Sequence, residues 1–264
     1  MKKLKKQEIK PFDYDEVDIH VNYRKSRVLS ETTPRLWLSA ISKFAAVEST
    51  ELIVDLGSGT GRFLEPLRSW FDASVIGIEP SANMSSEAVK EDLIDDVQIV
   101  RGRAENIPLV ENSIDLVFIS MAIHHFRDRP QAYREIRRIL NAGKFLAIRT
   151  PTHETLNNLE WFKCFPSGLQ VDIDRMLPKD DLIKEVCNSG LEFVHHTTIK
   201  QLTANTYREF FNNLSLRAVS ALKQIPDEEF ESGLKQFQRY CEKIGWETPF
   251  YESFDLFIFG KREQ

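Results

Sequence analysis

The chain has 264 residues, with 35 Lys and Arg against 40 Asp and Glu, a formal charge of −5, and 42% hydrophobic and 28% charged residues. That is enough chain for one large domain with a lid and an ordinary globular composition; the lack of a long uncharged apolar run excludes a membrane span. The negative balance argues against a nucleic-acid binder, and the three scattered cysteines, Cys164, Cys187 and Cys241, have neither disulfide-framework nor metal-ligand spacing.

Residues 1–13 read as a solvated tail. The basic start Met1–Lys6 is followed by Gln7, Glu8, Lys10 and Asp13 where an export signal would need an apolar segment, so a cytoplasmic location is expected. Residues 30–47 predict a helix, with Pro34 near its start and Leu36, Trp37, Ile41, Phe44 and Ala45 on one side. Strand and helix patterns then alternate: strand 51–56, helix 61–70, strand 74–79, helix 81–90, strands 97–101 and 114–119, helix 130–140 and strand 145–149. Such alternation predicts an α/β fold with a parallel sheet and helices on both faces.

Asn141-Ala142-Gly143-Lys144 predicts the turn before strand 145–149. A helix near 179–189 follows, then strand patterns from Leu191 to Ile199 and from Ser253 to Gly260. Residues 200–252 are helical in period and far too long for a hairpin turn. Together with the shorter insertion 151–177 they are expected to cover the carboxyl edge of the sheet as a substrate lid. The apolar stripe Phe210, Phe211, Leu214, Phe230 and Phe237 serves equally for packing the insertion on the sheet.

The sharpest signal is Ile53-Val54-Asp55-Leu56-Gly57-Ser58-Gly59-Thr60-Gly61, an apolar strand entering a glycine turn. Glycines there let the backbone take positive φ and approach a ligand, while Asp55 puts a carboxylate at the strand's end. A dinucleotide fingerprint needs its third glycine one position later, where this chain has Arg62, so an NAD-dependent oxidoreductase is disfavoured. Glu79 ends the next strand about twenty residues on, the place for an acid that accepts two ribose hydroxyls.

Four more blocks follow in order: Ile76-Gly77-Ile78-Glu79-Pro80-Ser81, Gly102-Arg103-Ala104-Glu105-Asn106-Ile107-Pro108, Ile114-Asp115-Leu116-Val117-Phe118-Ile119-Ser120, and Ala122-Ile123-His124-His125 ahead of a helix ending Arg138-Ile139-Leu140. With the glycine motif they make residues 14–199 resemble the class I S-adenosylmethionine-dependent methyltransferases, in the small-molecule branch that includes quinone-biosynthesis C-methyltransferases. The resemblance implies a single Rossmann-like domain over residues 1–264, with a cofactor core at 14–150 and a seven-stranded, mainly parallel sheet closed by an antiparallel final strand.

It also implies that S-adenosylmethionine is the cofactor and S-adenosylhomocysteine the product. Asp55, Gly57, Ser58, Gly59 and Gly61 would take the methionine end, Glu79 and Pro80 the ribose, Met84 the adenine face, and Ala104 and Glu105 the adenine edge. Ser120 would line the same site. Relatives commonly carry an aspartate where this chain has Arg103, a residue with no acceptor, so Glu105 or a backbone carbonyl must receive the adenine amino group. Tyr23 and Arg27 match residues that fold over the cofactor's carboxylate, Arg27 as a bidentate fork.

His124 and His125 lie at the carboxyl end of the fourth strand, where a histidine could take a proton from an acceptor; His125 is the first candidate and His124 the second. Backbone hydrogen bonding of an architectural histidine accounts for the second histidine as well. In-line methyl transfer needs no metal. A small-molecule acceptor, methylated at O, N or C, by a monomer or homodimer without nucleic-acid or membrane partners, is the expectation. A cofactor-binding regulatory or scaffold protein on the same fold is the alternative. No Asn-Pro-Pro-Tyr type motif of nucleic-acid and protein amino-methylases is present.

Overall fold

The computed structural model describes residue 30, residues 32–89 and residues 96–263. Tyr23 and Arg27 lie outside the described residues. Seven strands form one sheet in the order β3-β2-β1-β4-β5-β7-β6: β1 Leu52–Leu56, β2 Ser74–Glu79, β3 Val97–Arg101, β4 Ile114–Ser120, β5 Leu140–Thr150, β6 Glu192–Ala204 and β7 Phe250–Gly260. β1 to β5 pair in parallel, and β7 runs antiparallel between β5 and β6. This is the expected mainly parallel sheet with a reversed final strand. The order turns back at β1 and β4, and it is outside the carboxyl ends at such a switch that ligands bind.

Both faces are covered because the central strands are apolar on both sides. One face buries Val54, Leu56, Ile119 and Ile148 under Tyr133 and Ile136 of α4 (Arg129–Ile139) and Leu182 and Val186 of α7 (Lys179–Cys187). The other buries Ile53, Phe118 and Ala147 under Trp37 of α1 (Thr32–Ile41) and Leu67 and Phe71 of α2 (Leu64–Phe71). Trp37 is fully buried, and its indole N–H donates to Gln201 Oε1 at 2.8 Å. Burial of a side chain that size contributes about 3 kcal/mol. α3 (Ala82–Val89) follows β2.

Several boundaries differ from expectation. The first helix stops at Ile41, because the N–H groups of Phe44 and Ala45 both turn back to the Ile41 carbonyl. The second begins at Leu64 instead of 61, since Gly61 has φ +77°. β5 starts at Leu140, and the Gly143 turn survives as an irregularity where the register shifts between Ile114 and Leu116. β6 and β7 run on past the sheet as a two-stranded arm, pairing Lys200 with Ser253, Gln201 with Glu252, Leu202 with Tyr251 and Ala204 with Phe250. Residues 200–204 and 250–252, expected in the helical insertion, are therefore strand.

The two insertions are helical, as expected. The first holds α5 (His153–Leu156), a 3-10 turn at Glu160–Cys164 and α6 (Pro166–Arg175); the second holds α8 (Tyr207–Ser215), a 3-10 turn at Leu222–Gln224 and α9 (Asp227–Ile244). They share a third core that includes Trp161, Phe162, Phe165, Phe210, Phe237 and Phe250. Asp255 ties the first insertion to the sheet, its carboxylate accepting from the hydroxyls of Thr152, Thr155 and Thr198 and from His196 Nε2 at 2.8 to 2.9 Å.

Candidate active site

The glycine turn is shaped by the strand before it and the strand beside it. Gly57, Gly59 and Gly61 all have positive φ, and the Gly57 N–H donates to the Ile78 carbonyl of β2 at 2.8 Å. A Cβ on Gly57 would lie 2.5 Å from the Cβ of Ala122, so the turn fits against the end of β4 only without a side chain. Gly61 packs against Ala88 and Leu64 and stands behind the ligand crevice, outside its lining.

Two acids end the neighbouring strands β1 and β2. Glu79, 6% exposed, accepts the Gly59 N–H at 2.9 Å through Oε2 and the Ser81 N–H at 2.9 Å through Oε1. Ser81 in turn accepts the Met84 N–H at 3.1 Å through its hydroxyl. One carboxylate thus holds the glycine turn and the entry to α3 in register. Asp55 is buried, and its pKa rises from 3.8 to about 7: desolvation drives it up, Arg62 opposes this and the charge of Glu79 adds to it.

These residues border a crevice of about 280 Å³. Its lining includes Asp55, Gly57, Ser58, Gly59, Glu79, Pro80, Met84, Ala104, Glu105, Ser120 and His125, so every expected cofactor contact among the described residues except Gly61 converges here. Met84 is buried with Cε against Gly59. Glu105 accepts the backbone N–H of Arg127 at 2.6 Å through Oε1, fixing the loop beside His125. The buried hydroxyls of Ser58 and Thr60 have no hydrogen-bond partner among the described residues. The glycine turn, which a Cβ on Gly57 would fill, and the two acids at the strand ends give a donor and acceptor set that S-adenosylmethionine fits.

His124 and His125 share one 3-10 turn, Ile123–His125, their rings 4.0 Å apart, yet they face different spaces. His125 lines the crevice; desolvation, with the charge of Arg175 adding, lowers its pKa from 6.5 to about 3. His124 lines a second chamber of about 110 Å³ beneath the lid, walled by Leu156, Trp161, Phe162, Phe210 and Leu214. Arg62 and Met121 border both spaces and lie between them. Met121 holds φ +58° with its N–H on the Arg149 carbonyl at 2.8 Å, a conformation costly for a side chain with a Cβ and typical of functional sites.

Sequence reasoning did not find Arg62, Met121, Arg149, Gln201 or Glu252. Arg149 had a visible signal, an arginine at the carboxyl end of the apolar run Phe145-Leu146-Ala147-Ile148. It is buried, donates to Ser120 Oγ at 3.0 Å and Gln201 Oε1 at 2.8 Å, and lies over the ring of Trp37 at 4.9 Å. Of the aromatics in the two insertions, Trp161, Phe162 and Phe210 line the chamber, while Phe165, Phe211 and Trp246 do not.

A mainly parallel sheet with a reversed last strand, an acid at the tip of each of two neighbouring strands and a glycine turn between them define the class: the Rossmann-like S-adenosylmethionine-dependent methyltransferase fold. Residues 54–148 match the family model described as a methyltransferase domain.

A demethylmenaquinone methyltransferase of Lactiplantibacillus plantarum is 31% identical over 46% of this chain and 54% of its own length. The 27-O-demethylrifamycin SV methyltransferase of Amycolatopsis mediterranei is 24% identical over 83% of this chain and 82% of its own. The crystal structure of a protein ascribed to an antibiotic biosynthesis pathway of Anabaena variabilis, and described as a methyltransferase, superposes with a TM-score of 0.67 at 22% identity, covering 88% of this chain and 98% of that one. The chain spans about half the length of the first curated relatives it matches. No helix among the described residues is long and apolar enough to cross a membrane, and no cluster of three or more His, Cys, Asp or Glu among them could hold a metal.

Proposed function

We propose that this protein is an S-adenosylmethionine-dependent methyltransferase acting on a small organic molecule held under the lid. The observation that carries the reading is the pair of acids, Asp55 and Glu79, at the ends of adjacent strands, in a crevice that shares Arg62 and Met121 with the chamber beside it. When bound, the cofactor supplies an activated methyl on a sulfonium centre. Asp55 would meet its amino group, Glu79 the ribose hydroxyls, and Met84 and Ala104 the adenine. The insertions would shield the reacting centres from water, and alignment in a dry site supplies most of the acceleration of such a displacement. Small-molecule methyltransferases among the relatives and the small apolar-walled chamber favour a small acceptor over nucleic acid. Isothermal titration with S-adenosylmethionine tests this directly; no heat of binding at millimolar ligand would overturn it.

The acids also set a pH dependence. Asp55 ionises near pH 7 in the free protein, and a bound ammonium favours its charged form. Cofactor affinity is expected to rise between pH 5.5 and 7, by up to about tenfold per unit, and to level off as the pH passes 7. The sign for the fold is opposite. The folded state holds a proton on Asp55 that the unfolded chain loses near pH 3.8, so Asp55 lowers the stability of the free protein as the pH climbs from 3.8 to 7. Titrations of wild type and Asp55→Asn across this window check the first effect; an equal slope in both would show that another group is titrating.

Of the two histidines, His124 faces the chamber and suits a role as base, whereas a ring with a pKa near 3 stays neutral and accepts protons poorly. With an acceptor that turns over, His124→Ala is expected to slow transfer by about 10²-fold while cofactor affinity holds. His125→Ala is expected to weaken the cofactor instead, and S-adenosylhomocysteine release paired with titration separates the two outcomes.

A further inference from the structure

Building on the methyltransferase reading, we infer that the chamber under the lid receives a small apolar molecule carrying a protonated amine, with Glu252 as the group that holds the amine. Glu252 projects from β7 beside Gln201 of β6 and is 6% exposed. Its carboxylate accepts from the indole N–H of Trp161 at 2.9 Å through Oε1 and from the hydroxyl of Thr203 at 2.9 Å through Oε2. Both donors are neutral, and no Lys, Arg or His among the described residues lies within ion-pair distance of it. A carboxylate withdrawn from water with only two neutral hydrogen bonds has spare acceptor lone pairs and, among the described residues, lacks the positive charge that ordinarily accompanies a buried acid.

The other charges around the chamber are arranged differently. Arg175 is committed to Asp172, with Nε 2.6 Å from Oδ1, and also donates to Ser220 Oγ at 2.8 Å. Arg149 is held by Gln201 and Ser120 and capped by the rings of Trp37, Phe63 and Phe254 at 4.9 to 5.9 Å. Arg62 feels the opposite charge of Asp55. Glu252 alone among these groups offers a negative charge beside aromatic walls. The Trp161 ring that bonds it meets Phe210 edge-on at 5.7 Å, and carboxylate plus aromatic faces make a receptor for an ammonium. The apolar lid side, Leu156, Leu159, Phe162 and Leu214, takes the body of the ligand, and about 110 Å³ suits one small ring or a short chain.

Four probes of similar size and different charge test this: benzylamine, benzyl alcohol, toluene and benzoate, each titrated into the protein saturated with S-adenosylhomocysteine. Benzylamine is expected to bind at least tenfold more tightly than benzyl alcohol or toluene, and benzoate weakest. Glu252→Gln keeps an oxygen for Trp161 but removes the charge, and is expected to erase the preference for benzylamine while S-adenosylhomocysteine affinity and melting temperature stay near wild type. A preference for benzoate, an unaltered ranking in Glu252→Gln, or no binding of any probe by a protein that still takes the cofactor would overturn the proposal. Failure to bind the cofactor would instead defeat the methyltransferase reading. The ranking in wild type stands even if the variant folds poorly.

Discussion

Glu79→Ala is expected to weaken S-adenosylmethionine binding by more than tenfold and to lower the stability of the free protein as well. The carboxylate serves the fold before it serves a ligand: it accepts the N–H of Gly59 in the glycine turn and the N–H of Ser81 at the start of α3, both at 2.9 Å. Hydrogen bonds to a charged group contribute about 1.5–3 kcal/mol each, and orphaning the two donors in a buried place removes most of that. The turn would then keep only its backbone bonds to the Ile78 carbonyl of β2, and the ribose would lose its acceptor. Glu79→Gln retains one acceptor oxygen, so it is expected to lie between wild type and Glu79→Ala in both titration calorimetry and thermal melting. Unchanged affinity in Glu79→Ala would show that the acid is only a brace for the loop.

What the chain reveals before folding follows from the distance over which its groups act. Asp55, the glycine turn and Glu79 are legible because a strand, a turn and the next strand tip are separated by only a short helix, and the chemistry of each position is local. Ala122-Ile123-His124-His125 was legible as a turn at a strand end, but not the division of its histidines between crevice and chamber. That division depends on rings in successive positions of a 3-10 turn pointing to different sides.

The chamber floor was hidden for a different reason. Arg149, Gln201 and Glu252 come from three strands and meet only because β7 inserts antiparallel between β5 and β6. Lys200-Gln201-Leu202 sits beside a long helical pattern, so its strand alternation reads as the start of the insertion. Phe44 and Ala45 misled in the opposite sense: they have the spacing of a helix face and pack with the core as expected, but from a turn that ends α1.

Gly57→Ala is expected to be far more damaging than Gly59→Ala, and the pair isolates one contact. Both glycines have positive φ, +77° and +57°, so each alanine pays a left-handed cost of about 1–2 kcal/mol. The surroundings differ. At Gly59 the nearest atom to a new Cβ is the flexible Met84 Cε at 3.4 Å, an ordinary contact. At Gly57 it is the Cβ of Ala122 at 2.5 Å, which cannot swing aside because Ala122 opens the 3-10 turn that carries both histidines. Overpacking of this kind adds about 1–3 kcal/mol, so Gly57→Ala should melt on the order of 10 °C below wild type and Gly59→Ala only a few degrees below. Relief of the clash would have to move the Ala122–His125 turn away from the glycine loop, widening the crevice on its His125 side. Gly57→Ala should therefore also lose cofactor affinity by more than tenfold at a temperature where it remains folded. Equal melting temperatures for the two variants would mean that the end of β4 yields easily, and that the close seat of the glycine turn against the histidine turn does not shape the site.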